Sequence, residues 1–175
     1  MTENLPEDGI GDTISSPQRE MRLRKEEIMP STDFYTIGYQ GRSLDNLVDV
    51  LLSNHVQTVV DVRELPHSRI NGFSKKQLAH ALELAGMHYI SVRQLGSPRE
   101  LRDEYRRTGK WDTFAKEFTS FLQTKREEID QLTSQVYAEK TCLLCFERDS
   151  ELCHRSIVAE AVKKHSGNGL RVNNL

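Results

Sequence analysis

The chain predicts a three-layer α/β domain, a mostly parallel sheet with helices on both faces. Two observations predict it. Short apolar runs rich in β-branched and aromatic residues alternate along the chain with longer segments whose apolar residues recur at helical spacing. The runs are apolar almost throughout, which suits strands covered on both faces. The domain is expected from Asp33 to the end, residues 33–175 of a 175-residue chain.

The elements follow in order. Phe34-Tyr35-Thr36-Ile37-Gly38 reads as a buried strand closed by glycine. Ser43 offers an N-cap, after which Leu44, Leu47, Val48, Leu51 and Leu52 keep helical spacing. Val56 to Val62 is the second strand. Ser74 and Gln77 have the spacing of a capping box, opening a helix with Leu78, Ala81, Leu82 and Ala85 on one face and Gly86 at its end. Met87 to Val92 is the third strand. From Gln94 to Lys110 the chain is polar and fits no single period. Phe114, Ala115, Phe118, Phe121 and Leu122 mark another helix, and Ile129, Leu132 and Val136 the next. Thr141 to Phe146 is a fourth strand, Ile157, Val158, Ala161 and Val162 give a last helix, and Leu170 to Val172 is a short fifth strand if it pairs at all. Four to five strands are expected.

Residues 1–32 mix acids, bases, Ser, Pro and Gly with few apolar residues, the composition of a flexible polar leader. Within it only Arg19 to Glu27 reads as a short polar helix. The N-terminus lacks an apolar signal segment, and no stretch approaches the roughly 20 apolar residues of a membrane span. Lys and Arg number 24 against 26 Asp and Glu, a net charge of −2 that excludes a wholly basic nucleic-acid clamp but not a local basic patch. The three cysteines cannot all pair within the chain, which together with the missing signal implies a reducing, cytoplasmic setting.

In open parallel sheets ligands bind beyond the carboxyl ends of the strands. Three loops leaving such ends are unusually polar. Gly38-Tyr39-Gln40-Gly41-Arg42-Ser43 has two glycines before a helix cap, a turn able to present backbone N–H groups to an anion, without the full dinucleotide or P-loop pattern. Asp61 to Arg69 places a carboxylate at the end of an apolar strand, where it must be paired or functional. Arg63 and Arg69 either pair with it or clamp a phosphate or carboxylate, and His67 is the residue type of this loop suited to shuttling a proton.

The third loop runs from Cys142 through Cys145, Glu147 and Cys153 to His154, Arg155 and Ser156. Its C-x-x-C is a weak metal signal, because residues three apart in a strand face opposite ways. Cys145 and Glu147, two apart, share a face. Cys153 falls at a helix start, where the dipole and the neighbouring His154 and Arg155 lower a thiol's pKa. Cys145, Cys153 and His154 lack an obvious fourth ligand, so neither a metal nor another cofactor is expected. A Cys145–Cys153 redox pair and inert buried cysteines are the other readings. The C(x)₅R signature of cysteine phosphatases is absent, since Glu151 and Ala159 stand where its arginine would. Between Arg93 and Lys110, Arg99, Arg102, Arg106 and Arg107 are interleaved with Tyr105 and Trp111, suited to nucleic acid, but Glu100, Asp103 and Glu104 dilute the charge and favour a solvated helix face.

These loops resemble the bacterial and archaeal family called domain of unknown function 488. The resemblance runs from Thr36-Ile37-Gly38-Tyr39-Gln40-Gly41-Arg42-Ser43 through Val60-Asp61-Val62-Arg63, Pro66, Ser68-Arg69 and Gly72-Phe73-Ser74-Lys75. It continues through Leu95-Gly96-Ser97-Pro98-Arg99-Glu100-Leu101-Arg102 to Leu144-Cys145-Phe146-Glu147 and Cys153-His154-Arg155-Ser156, covering about residues 36–165. It implies a Rossmann-like α/β domain and brings no reaction with it.

The leading expectation is an enzyme whose pocket binds a phosphorylated small molecule or nucleic acid, with no membrane partner. Gly38, Tyr39, Gly41, Arg63, His67, Ser68, Arg69 and Arg155 would contact the substrate. Asp61 or Glu147 would be general base or acid, His154 or His67 the proton shuttle, and Cys153 the nucleophile. A non-catalytic nucleic-acid or protein binding module working through Arg99 to Lys110 is the second reading. Sulfur transfer or redox chemistry is the third: Val60 to Arg63 followed by a cysteine at a helix start is similar to rhodanese-like domains, although their glycines are missing around Cys145.

Overall fold

The computed structural model describes residues 32–175. The expected leader lies outside the described residues, except that Thr32 already opens the first strand. Five strands, β1 (Thr32–Gly38), β2 (Thr58–Asp61), β3 (His88–Ser91), β4 (Thr141–Cys145) and β5 (Leu170–Asn174), form one sheet in the order β3-β2-β4-β1-β5. All are parallel, so the fold is the expected three-layer α/β arrangement. Six α-helices connect them: α1 (Leu44–Ser53), α2 (Lys75–Leu84), α3 (Arg99–Thr108), α4 (Trp111–Leu122), α5 (Arg126–Ala138) and α6 (His154–His165).

Strand alternation sends side chains into two cores, one on each face of the sheet. Phe34, Val60, Val62, Leu143 and Cys145 pack with α4, α5 and α6 on the first face. Tyr35, Ile37, Val59, Cys142 and Leu144 pack with α1 and α2 on the second. The chain leaves β1 toward the second face and β4, its neighbour, toward the first. Their carboxyl ends therefore flank the point where the winding reverses, the place an open α/β sheet offers a ligand.

Local details differ from expectation in two places. The polar segment after β3 is not irregular: a 3₁₀ turn (Arg93–Leu95) leads into α3, which Pro98 precedes and Gly109 ends in a left-handed conformation. Its single apolar stripe, Leu101 and Tyr105, is too narrow to show a period among eight polar neighbours. The Ser74–Gln77 capping box does not form. Ser74 Oγ donates to Gln77 Oε1 instead of accepting from the helix backbone, while Ser43 caps α1 by accepting from the Asn46 amide. No helix among the described residues is long and apolar enough to cross a membrane.

Candidate functional site

The loop after β4 is shaped by Arg155. This side chain lies in the first turn of α6, is 1% exposed, and runs back beneath the loop. Its guanidinium donates to the carbonyls of Glu147 and Arg148 and to Thr36 Oγ1 on β1. Folded over this post, residues 146–153 return close enough for Cys153, the N-cap of α6, to face the end of β4. Gly38 lets the loop pass: a Cβ there would stand 1.8 Å from the Glu147 carbonyl oxygen.

Four polar side chains converge at this point. Glu147 Oε2 accepts from the Cys145 thiol at 3.1 Å and from the Cys153 thiol at 3.0 Å. His154 brings Nδ1 to 3.6 Å from Cys145 Sγ, while its Nε2 lies 3.0 Å from the Val62 carbonyl. One ligand-capable atom from each of Cys145, Glu147, Cys153 and His154 falls within 4.8 Å of the others. Phe118 of α4 meets the imidazole edge-on and helps close the apolar wall. The two thiols and the imidazole are buried; only Glu147 is partly open to solvent.

The electrostatics follow from that enclosure. Burial pushes the Cys153 thiol well above its ordinary value and the neighbouring Cys145 adds to it. The lowering expected from the helix start is outweighed, and Cys153 is not an exposed nucleophile. Burial also pushes Glu147 up, but hydrogen bonds from Cys153 and Cys145 outweigh it and hold the carboxyl below the usual range. His154 is pushed down by burial and raised more strongly by Cys153, the Val62 carbonyl and Glu147, so that its pKa is raised overall.

The remaining expected residues lie elsewhere or do other work. Asp61 is fully buried on the second face of the sheet, where it accepts from Arg63 Nε at 2.8 Å, from the Arg63 amide at 3.0 Å and from Tyr89 Oη at 2.7 Å. Arg63 also pairs with its second oxygen, and donates to Tyr39 Oη at 2.8 Å and the Phe73 carbonyl at 3.0 Å. Tyr39 stacks on Phe73 with centroids 4.3 Å apart and lies under the guanidinium. Asp61, Arg63 and Tyr39 thus form a closed packing network, separated by the sheet from Cys145, Cys153 and His154. The expectation that Asp61 and Cys153 share one cleft is corrected by this partition, and Arg63 and Arg155 spend their charge inside the fold rather than on a ligand.

The glycine turn is not an open anion cradle. The amides of Tyr39 and Gln40 extend the sheet onto the Cys145 and Phe146 carbonyls, and Gly41 serves the turn with φ +75°. His67 and Arg69 are exposed on the β2–α2 loop, with Ser68 between them accepting from the Ile70 amide. The basic residues of α3 are paired with acids: Arg99 and Arg106 with Asp103, Arg107 with Glu104, and Arg102 with Glu64. A cavity of about 920 Å³ between α4, α5 and α6, lined by Leu122, Ile129, Ile157 and their neighbours, includes none of the four clustered residues. Sequence reasoning missed the joining of Glu147 to both thiols at once, and the Val62 carbonyl that orients His154. The two-residue spacing of Cys145 and Glu147 was the available signal for the first.

A family model described as Domain of unknown function DUF488 matches residues 43–162, well over half of the chain. No curated protein and no solved structure matches it.

Proposed function

We propose that this chain, which belongs to the domain of unknown function 488 family, is an enzyme acting on a phosphorylated substrate at the carboxyl ends of β1 and β4. One observation carries the reading: Cys145, Glu147, Cys153 and His154 gather their polar atoms within 4.8 Å. An apolar quartet would fill the same space without the desolvation that buried polar groups suffer. The four stand where an open α/β sheet receives its ligand. Glu147 is the member that meets solvent and stays ionised, so it is the general base, taking a proton from water or a substrate hydroxyl. The two thiols hold its carboxylate in place, and His154 stands against Cys145.

The substrate class rests on charge at the lip. Arg148 follows Glu147 directly, and its amide donates to Gln40 Oε1 of the glycine turn, which also carries Arg42. Neither Arg42 nor Arg148 pairs with a carboxylate among the described residues, and guanidinium groups recognise phosphate in a planar, two-pronged way.

The test is a panel of nucleoside mono- and triphosphates and short oligonucleotides assayed for turnover. Glu147→Gln is expected to lower kcat by a factor of roughly 10²–10⁴, the usual contribution of general base catalysis. Arg148→Ala should mainly raise KM. Turnover that survives Glu147→Gln, or a panel with neither turnover nor binding, refutes the proposal.

A further inference from the structure

We infer that Cys145, Cys153, His154 and Glu147 are the ligands of a zinc-class divalent cation. The inference builds on the reading of this cluster as the working centre and adds the ion that it takes.

The donor set points to the class. Two cysteines, one imidazole and one carboxylate suit borderline-soft metals of tetrahedral preference, zinc above all, and not magnesium or calcium, which want oxygen alone. The spacing fits as well. Zinc lies about 2.3 Å from sulfur and about 2.0–2.2 Å from nitrogen or oxygen, so tetrahedral angles put a sulfur about 3.6 Å from each neighbouring N or O donor. Cys145 Sγ and His154 Nδ1 are already 3.6 Å apart. The two thiols stand 3.1 and 3.0 Å from Glu147 Oε2, so each need only move outward by about half an ångström once its proton gives way to the ion.

A second, separate observation concerns the histidine. A metal-bound imidazole usually gives its other N–H to a carbonyl or carboxylate, which fixes tautomer and ring orientation. His154 Nε2 lies 3.0 Å from the Val62 carbonyl on β2, which leaves Nδ1, 3.6 Å from Cys145 Sγ, as the ring nitrogen free to take the ion. Phe118 against the ring keeps it from turning. The first face of the sheet thus supplies both the ligands and the group that aims one of them. Arg155 supports the arrangement from behind by fixing the Glu147 and Arg148 carbonyls. Cys142, the other half of the C-x-x-C, packs in the second core and takes no part.

Three of the four ligands are buried, and Glu147 alone is partly open to solvent. That carboxylate is the ligand a water or a substrate oxygen displaces. Once displaced, it remains beside the ion as a base.

The experiment uses the full chain, reduced, stripped of metal and titrated with Co²⁺ and then Zn²⁺. One cobalt per chain is expected, with a thiolate-to-metal charge-transfer absorption that zinc abolishes by replacement. Cys145→Ser and Cys153→Ser should each lower that absorption by about half and weaken zinc binding at least tenfold, as loss of a ligand or its support does. Cys142→Ala should change neither. If a serine variant fails to fold, the wild-type titration still decides, because a folded, reduced chain showing no thiolate–cobalt band overturns the proposal. A band unchanged in both serine variants overturns it too. Stoichiometric metal with no turnover on any phosphorylated probe refutes the enzyme reading and leaves the ion in place. Turnover by a chain that binds no metal does the reverse.

Discussion

The Asp61–Arg63 pair offers the sharpest test of how the second core is held. Asp61 is 0% exposed and Arg63 6%, and the two share three hydrogen bonds, one from the arginine amide and two from its guanidinium. Asp61→Asn keeps the shape and removes the charge. The guanidinium is then left buried with only the Tyr39 hydroxyl, the Phe73 carbonyl and a neutral amide for company. Removing one partner of such a pair costs about 3–5 kcal/mol, mostly as the penalty of the charge left behind. For a domain of this size each kcal/mol lowers Tm by roughly 2–4 °C, so a drop of about 6–20 °C is expected. Arg63→Met should cost a comparable amount, because Asp61 then keeps only Tyr89 and the backbone amide of residue 63 and has no countercharge. The double variant Asp61→Asn/Arg63→Met leaves no buried charge at this pair and should lose at least about 2 kcal/mol less than the sum of the single losses. The assay is urea unfolding of the four proteins followed by circular dichroism, with Tm as a check. Additive losses, or an Asp61→Asn loss below about 1 kcal/mol, would refute the claim that this pair is a closed structural network.

Three further outcomes follow from the same geometry. Gly38→Ala drives a Cβ into the Glu147 carbonyl, so it should cost roughly 1–3 kcal/mol by overpacking and shift the amide resonances of residues 146–153 in NMR spectra. Arg155→Met strands two loop carbonyls and Thr36; a loss on the order of 3 kcal/mol and faster amide exchange in the loop are expected, with Arg155→Lys recovering less than half because one ammonium cannot span three acceptors. Burial, and then the Asp61 charge, push the Tyr89 phenol above its usual value. An acid whose pKa is raised by folding adds stability that is complete below its unfolded pKa, about 10, and lost as pH rises beyond it. Wild-type stability should therefore fall between about pH 9 and 11 more steeply than that of Tyr89→Phe, measured by urea unfolding across that range.

Much of the fold was legible because its signals are local. Each strand is a short apolar run, and each helix except α3 carries an apolar stripe wide enough to show its period. The α3 helix hides because it lies on the rim and buries no residue fully, so it holds itself with Arg–Asp and Arg–Glu pairs three or four apart. Those pairs, with Pro98 before and Gly109 after, were the readable trace of it. The cysteines divided correctly for a similar reason. Parity within one strand sends Cys142 and Cys145 to opposite faces whatever the strand pairs with.

Parity within one strand says nothing about its neighbour, and there the composite site was lost. In a sheet covered on both sides, apolar residues fill both faces of every strand, so hydrophobicity carries no label for which face is which. Only the register between strands supplies it. Asp61 pairs with Leu144, not with Cys145, so it shares the face of Leu144 and turns away from the thiols. A slip of one residue would have set the Asp61 carboxylate beside Cys145 and assembled the shared cleft that the three loops suggested. The observed register instead points the Val62 side chain into the first core and aims its carbonyl at His154. One ladder step thus decides both results: it withdraws Asp61 from the site and turns the Val62 carbonyl into the acceptor that orients His154.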